Sequence, residues 1–346
     1  MFLRAYEGAG VFAAWPGWAV HGLAMLTIAV CLLLMVLLLV LVFSLAERKV
    51  SGFMQSRYGP MYVGRYHGLL QPVADMIKFL LKEDIAPANV DKPLWRAAPV
   101  VIFTGAFLGF AVLPFGPRFV GAKLDVGLFY AFAVSSIVVI GIIMAGWGSN
   151  NKWALYGAMR GAAQVISYEI PLAIAVLPVI MTVGSLNFGT ITQAQSGWFW
   201  SWHLFNPILL ICFVVYFISA LAEVNRIPFD LPESESELVA GYHTEYTGMK
   251  FALIMLGEYA DMFVVASIGV AVFLGGWNSG IPAVDAVIPA PLIFLAKALI
   301  MVFLIMWLRW TLPSIRVDQL MNLCWKVLLP ITLAVLLIYG LIKVLF

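Results

Sequence analysis

Residues 221–261 read LAEVNRIPFDLPESESELVAGYHTEYTGMKFALIMLGEYAD, and their reading decides how the rest of the chain is understood. From Glu223 to Glu258 seven acids (Glu223, Asp230, Glu233, Glu235, Glu237, Glu245 and Glu258) stand against two bases, Arg226 and Lys250. That balance of −5, in a chain of formal net charge +2, leaves +7 for the remainder. Apolar runs of membrane-crossing length flank the acidic segment, and Glu223 and Glu258 lie inside those runs. A carboxylate at membrane depth costs about 2.5–3.5 kcal/mol on insertion scales, so it is expected where ions or protons travel.

Outward from this stretch the chain is built for lipid. With 63% hydrophobic and 11% charged residues among 346, composition overrules the two or three soluble domains that length alone implies. An all-α polytopic membrane protein is expected, one membrane domain with eight spans. They cover roughly residues 20–45, 97–113, 128–147, 160–183, 205–222, 251–274, 290–310 and 327–345. The first run is too long for a signal peptide and ends in Glu47-Arg48-Lys49, so it reads as a retained span. With the N-terminus outside, 15 Lys and Arg fall on inner connections and four on outer ones, with Lys297 inside a span. The excess places both termini outside. The twelve Trp near segment ends are expected in interfacial belts.

The inner connection 46–96 holds more than a loop. Over 68–82, Leu69, Leu70, Val73, Met76, Ile77, Leu80 and Leu81 keep the helical period, while Gln71, Asp75, Lys78 and Lys82 share the opposite face. Such a helix is too short and too charged to span. It is expected in the interface plane, as a surface anchor or as the wall of a ligand cavity. In the fourth span, Pro171 frees the carbonyl of Ser167 beside Glu169, which calls for a hydrated or protein-lined pocket. Glu258 and Asp261, three apart, share one helical face, so at least one is expected to hold a proton near neutral pH. Glu233, Glu235 and Glu237 extend the acids toward the inner surface as a funnel. Lys297 is either a pathway residue or a snorkelling one.

Other chemistries lack their residues. There is no Gly-rich nucleotide fingerprint, no His-Glu-x-x-His, and no basic stripe with interleaved aromatics for nucleic acid. Cys31, Cys212 and Cys324 are isolated, which suits neither a cluster nor a disulfide framework. A membrane path of acids without its own cofactor needs a partner to drive it.

Five blocks in order resemble one family: ERKVSGFMQSRYGP (47–60), GLLQPVADMIKFLLKEDI (68–85), VISYEI (165–170), AEVNRIPFDLPESESELVAGYHTEY (222–246) with EYADM (258–262), and RVDQLMNLCWKVLLP (316–330). The chain is similar to the membrane subunit of respiratory complex I, the proton-pumping NADH:quinone oxidoreductase, that is called H in bacteria and 1 in mitochondria. The resemblance implies quinone as substrate, with FMN and iron–sulfur clusters carried by partner subunits. It also implies an iron–sulfur partner capping a quinone chamber, antiporter-like pumping subunits alongside, and a bacterial cytoplasmic membrane. Carried over, Arg48, Lys49, Arg57, Gln71, Asp75 and Lys78 would line or shape the quinone tunnel. Glu169, Glu223, Glu233, Glu235, Glu237, Glu245 and Glu258, with Arg226, Asp230 and Tyr242, would form the acidic path. Arg309, Arg316 and Asp318 would support the docked partner. Met61 and Arg65 stand where resembling sequences have Asn and Pro, with one residue more about His67, which leaves this loop's shape open. Two alternatives remain: an independent secondary transporter or channel, and the equivalent subunit of a ferredoxin-, deazaflavin- or hydrogenase-linked complex.

Overall fold

The computed structural model describes residues 17–65 and 67–345, and every regular element among them is helical. Helix α1 runs Gly17–Met54, α2 Gln71–Leu81, α3 Lys92–Gly109, α4 Gly127–Gly148, α5 Lys152–Val183 and α6 Phe188–Ala194. Then come α7 Pro207–Glu223, α8 Glu235–Leu238, α9 Gly248–Phe273, α10 Pro282–Val287 and α11 Ala290–Thr311. Last, α12 Val317–Asn322 and α13 Leu329–Leu345 join through a π-helical turn, Leu323–Leu328. The end of the bundle that carries α2 and α8 is termed inner below, and the opposite end outer.

Among the described residues, seven helices are long and apolar enough to cross a membrane: α1, α3 with its short 3-10 extension, α4, α5, α9, α11 and the continuous α12–α13 unit. Helix α7 is apolar but has 17 residues, a rise of about 26 Å that sits at the lower edge of what spans hydrocarbon. Its start is sharp because Asn206 accepts the amide of Ile208 and Pro207 occupies the first turn. The expected amphipathic helix appears as α2, with Pro72 in its first turn. Helix α1 reaches nine residues past the expected 45, carrying Glu47, Arg48 and Lys49 on helical backbone. Helix α5 begins eight residues before the expected 160, where Asn151 caps it by accepting the amide of Trp153.

Helix α9 is the axis of the bundle. Every residue from Ala260 to Phe273 is buried, and apart from Asp261 and Ser267 the helix is apolar all round, a surface that only neighbouring helices can satisfy. Phe263 stacks with Phe43 of α1, Phe110 after α3 and Phe115, at centroid distances of 6.0, 5.6 and 6.3 Å. Close approach needs glycine: a Cβ on Gly257 would sit 2.9 Å from Ile102 of α3, and one on Gly157 of α5 2.8 Å from the carbonyl of Pro232. The carbonyl that Pro171 frees is used, since Ser167 O accepts from Cys324 Sγ at 3.1 Å inside the π-helical turn. Two tryptophans depart from the expected belts. Trp95 and Trp277 are buried, 1% and 6% exposed, and pack into the inner and outer ends of the bundle.

Candidate functional site

The site is assembled where α7 ends. Glu223 is its last residue, and Asn225 turns the chain at φ 53°, a left-handed conformation that asparagine tolerates better than most residues. The turn that follows lies on α5. Gln164 donates from Nε2 toward Ala222 O (2.7 Å), Asn225 Oδ1 (3.0 Å) and Phe229 O (2.7 Å), and Tyr168 packs its ring 5.6 Å from that of Phe229.

Carboxylates from three elements converge on this turn. Glu223, Glu258 and Asp261, with Tyr242 and Asn225, line a cavity of about 10 Å³, close to the room one water occupies. Tyr242 donates to Glu258 Oε1 at 2.6 Å. Glu233 lies close enough to Glu258 for the two carboxyl groups to interact, and neighbouring carboxyl groups at low dielectric favour a proton held between them. Burial raises Glu233 well above the usual carboxylate range, and the charges of Glu258 and Asp230 add to this while Arg226 opposes it. Its side chain keeps 17% of its surface exposed on the inner side, where His243 Nδ1 lies 3.6 Å away. Burial, then Glu258 and Glu233, likewise pushes the Tyr242 phenol up, keeping it a hydrogen-bond donor.

One arginine balances this acidity. Arg226 is 6% exposed, and its Nη1 reaches both oxygens of Glu47 at 3.2 and 3.3 Å. Arg309 of α11 binds the same carboxylate, and the Arg226 guanidinium lies 4.6 Å from the Tyr259 ring centre. Burial works against the charge of Arg226, but Glu47, Tyr259, Glu258 and Glu233 outweigh it and hold it firmly protonated.

On the far side of Tyr259 lies a second cavity, about 190 Å³ and mostly apolar, between α1, α2 and the first turns of α9. Its walls include Leu41, Phe79, Met255 and Tyr259, and its polar groups include Arg48 and Asp75, joined at 2.5 Å. Gln71 and Lys78 serve Asp75 from the same helix, at 3.1 and 3.8 Å. Lys49 and Arg57 face elsewhere: Lys49 Nζ donates to Pro60 O at 2.5 Å and lies 3.3 Å from Met61 Sδ, and Arg57 Nε bonds Gln55 Oε1 at 2.6 Å. Backbone at positive φ marks the loop that departs from the family pattern, at Gly64, Arg65, His67 and Gly68. Tyr66 within it lies outside the described residues.

The remaining sequence-derived acids divide. Glu169 is half-buried on α5 beside Ser136, near Glu223. Asp230 is close enough to Glu233 to share its charge balance. Glu237 stands apart, exposed and paired with Arg160, and Glu245 accepts from Asn151 at 2.7 Å at the inner surface. The side chain of Glu235 lies outside the described residues. Arg316 and Asp318 are exposed, whereas Arg309 turns inward to Glu47. Asp261 belongs to the cluster, and Lys297 does not: it donates to Leu274 O and Asn278 O, both at 2.5 Å, at the outer end. Sequence reading passed over Glu47, Gln164 and Tyr259. An acid at the end of an apolar run, ahead of two bases, was the available signal for Glu47; nothing local marks an amide or a phenol as an organiser.

Fold and site together define a multi-pass helical membrane protein with a buried acidic cluster beside an apolar cavity. The family model described as NADH dehydrogenase matches residues 27–340. The chain is 52% identical over 332 residues to the H subunit of the NADH-quinone oxidoreductase of Chlorobium luteolum, covering 92% of this chain and 89% of that one. It is 56% identical over 299 residues to the corresponding protein of Chlorobaculum parvum, covering 83% of each chain, and 52% over 302 residues to that of a Geobacillus species, covering 87% and 89%. This chain belongs to the NADH dehydrogenase family of membrane subunits.

Proposed function

We propose that this chain is the quinone-facing, proton-conducting membrane subunit of a proton-pumping NADH:quinone oxidoreductase. The observation that carries the reading is the position of Tyr259. It lines the apolar cavity on one side and, on the other, meets the Glu47–Arg226 pair that borders Glu233 and Glu258. A quinone head group reduced in or above the cavity gains negative charge and needs protons. Arg226, already shared among Glu47, Glu258 and Glu233, is the charge such a change would pull on first. Any shift of its field changes how firmly the acids hold their shared proton. Glu223, Asp261 and Glu169 extend the set into the membrane, where the proton load passes to neighbouring subunits.

In this reading the chain is one membrane domain with α7 as its eighth crossing, in a bacterial cytoplasmic membrane, both termini outside. A partner with an iron–sulfur cluster caps the cavity from the inner side, FMN and the other clusters lie further out in partner subunits, and antiporter-like subunits receive the charge. Arg48, Asp75, Gln71 and Lys78 shape the quinone path, while Lys49 and Arg57 hold the loop at its mouth. Glu258→Gln in the whole complex is the test. NADH oxidation by a soluble artificial acceptor should persist, showing assembly, while quinone reduction and proton ejection fall about tenfold or more, the range expected for a displaced proton carrier. Full coupled activity would overturn the proposal.

A further inference from the structure

The acidic turn is held locally by its own backbone, with Asn225 N donating to Ala222 O at 3.3 Å, Arg226 N to Leu221 O at 3.4 Å and Phe229 N to Arg226 O at 2.8 Å, while Ile315 N reaches Pro228 O at 3.1 Å. Residues 222–230 leave a helix, pass through a left-handed asparagine and then Pro228, and yet bring Glu223, Arg226 and Asp230 into one cluster. Gln164 adds the tie to α5. It is fully buried, and its single NH2 group faces three acceptors spread over that turn: the carbonyl at the end of α7, the side chain of the left-handed residue, and the carbonyl of Phe229. Its Oε1 has no hydrogen-bond partner among the described residues, so the residue acts as a donor alone. The last carbonyls of a helix lack partners within the helix, and an amide from a neighbouring helix satisfies one of them here.

We infer that Gln164 is a positioning residue for the proton path: it locks the 222–229 turn to α5 and so sets the spacing between Glu223, Arg226 and the Glu233–Glu258 pair. Because Tyr168 and Glu169 follow one turn later on the same helix, the lock also ties Glu169 to the turn. The inference rests on the proposed function above. It assigns no contact with quinone, since Gln164 does not line the apolar cavity.

The test uses the assembled complex carrying Gln164→Met, which keeps the volume and removes both donors, and Gln164→Glu, with Glu258→Gln alongside. A neutral carboxylic acid at 164 donates one hydrogen bond; an ionised one presents oxygen to three oxygens. In Q164M, quinone-reductase kcat and proton ejection should fall about five- to tenfold with quinone KM unchanged, matching the loss of buried hydrogen bonds. In Q164E, turnover should approach wild type at low pH and fall as pH rises, steeper than the wild-type profile. Wild-type kcat and proton yield in Q164M, with Glu258→Gln impaired, overturn the inference alone. A raised KM at constant kcat, or lost assembly in Q164M together with a wild-type pH profile in Q164E, also overturns it, leaving Gln164 a packing residue. Full activity in Glu258→Gln overturns the underlying reading and the inference with it.

Discussion

Two polar knots are buried in this bundle, one toward the inner end of α9 and one at its outer end, and they are built on opposite plans. At the outer end Gln195 Nε2 donates to Ala271 O and Val272 O at 3.0 and 3.1 Å, while its Oε1 accepts the amides of Gly275 and His203 at 2.9 and 3.3 Å. His203 Nδ1 faces Val272 O at 2.7 Å and must be the donor there; burial lowers its pKa and favours the neutral ring. Lys297 completes the knot with two carbonyls and the face of Trp202, 3.9 Å from the ring centre. Amides, carbonyls and one cation pair off without competing. Toward the inner end, acids meet acids, and one arginine serves several carboxylates at once. At the outer end Trp202 Nε1 has no hydrogen-bond partner among the described residues, but the amides, carbonyls and cation are paired. Such pairing rigidifies, whereas a set of like charges short of partners changes state when a proton or a charge arrives. An ionisable group within a membrane is therefore a pathway residue only where its partners leave it a choice.

The sharpest break of this contrast is Arg226→Met. It strips Glu47 of one buried partner and leaves Glu233 and Glu258 without their balancing charge, a loss of about 3–5 kcal/mol for an uncompensated buried ion. Complex content in the membrane should collapse, as read by native gels; normal assembly would mean that the inner knot is not charge-balanced in this way. Lys297→Met comes next. Two carbonyls lose a charged donor, about 1–3 kcal/mol, so the melting temperature of the purified complex should drop while its proton-to-electron ratio stays unchanged. A changed ratio would make the outer knot part of the path and dissolve the contrast. The smallest expected effect is a slope. Glu233 has a raised pKa, so the stability tied to its protonated form is full below its unfolded pKa and is lost as pH rises through the folded value. Glu233→Gln, always neutral, should lose less thermal stability than wild type as pH rises above the ordinary carboxylate range. Parallel curves would show that Glu233 does not carry the shared proton.

Much of the site was legible as residue types but not as partners. Glu258 and Asp261 had to share a face because they are three apart on a helix, and both reach the same small cavity. Glu237 looked identical to Glu233 in sequence, yet four residues of loop and short helix turn it to solvent and to Arg160 while Glu233 turns inward. Gln71, Asp75, Lys78 and Lys82 formed a correct polar face, but only contact with α1 decides that Asp75 binds Arg48. Lys297 could be read either way until the outer carbonyls were placed.

What the sequence determined by itself was every property set by local period and transfer energy: helices rather than strands, runs long enough for hydrocarbon, an amphipathic helix within 68–82, and acids too costly to bury without purpose. Tertiary structure alone decided which acids meet. That choice depends on contacts between residues as distant as Glu47, Gln164, Arg226 and Arg309, and no short-range pattern encodes them. Burial free energy is nearly indifferent to which side chains share a pocket, whereas electrostatics and hydrogen bonding depend on ångströms.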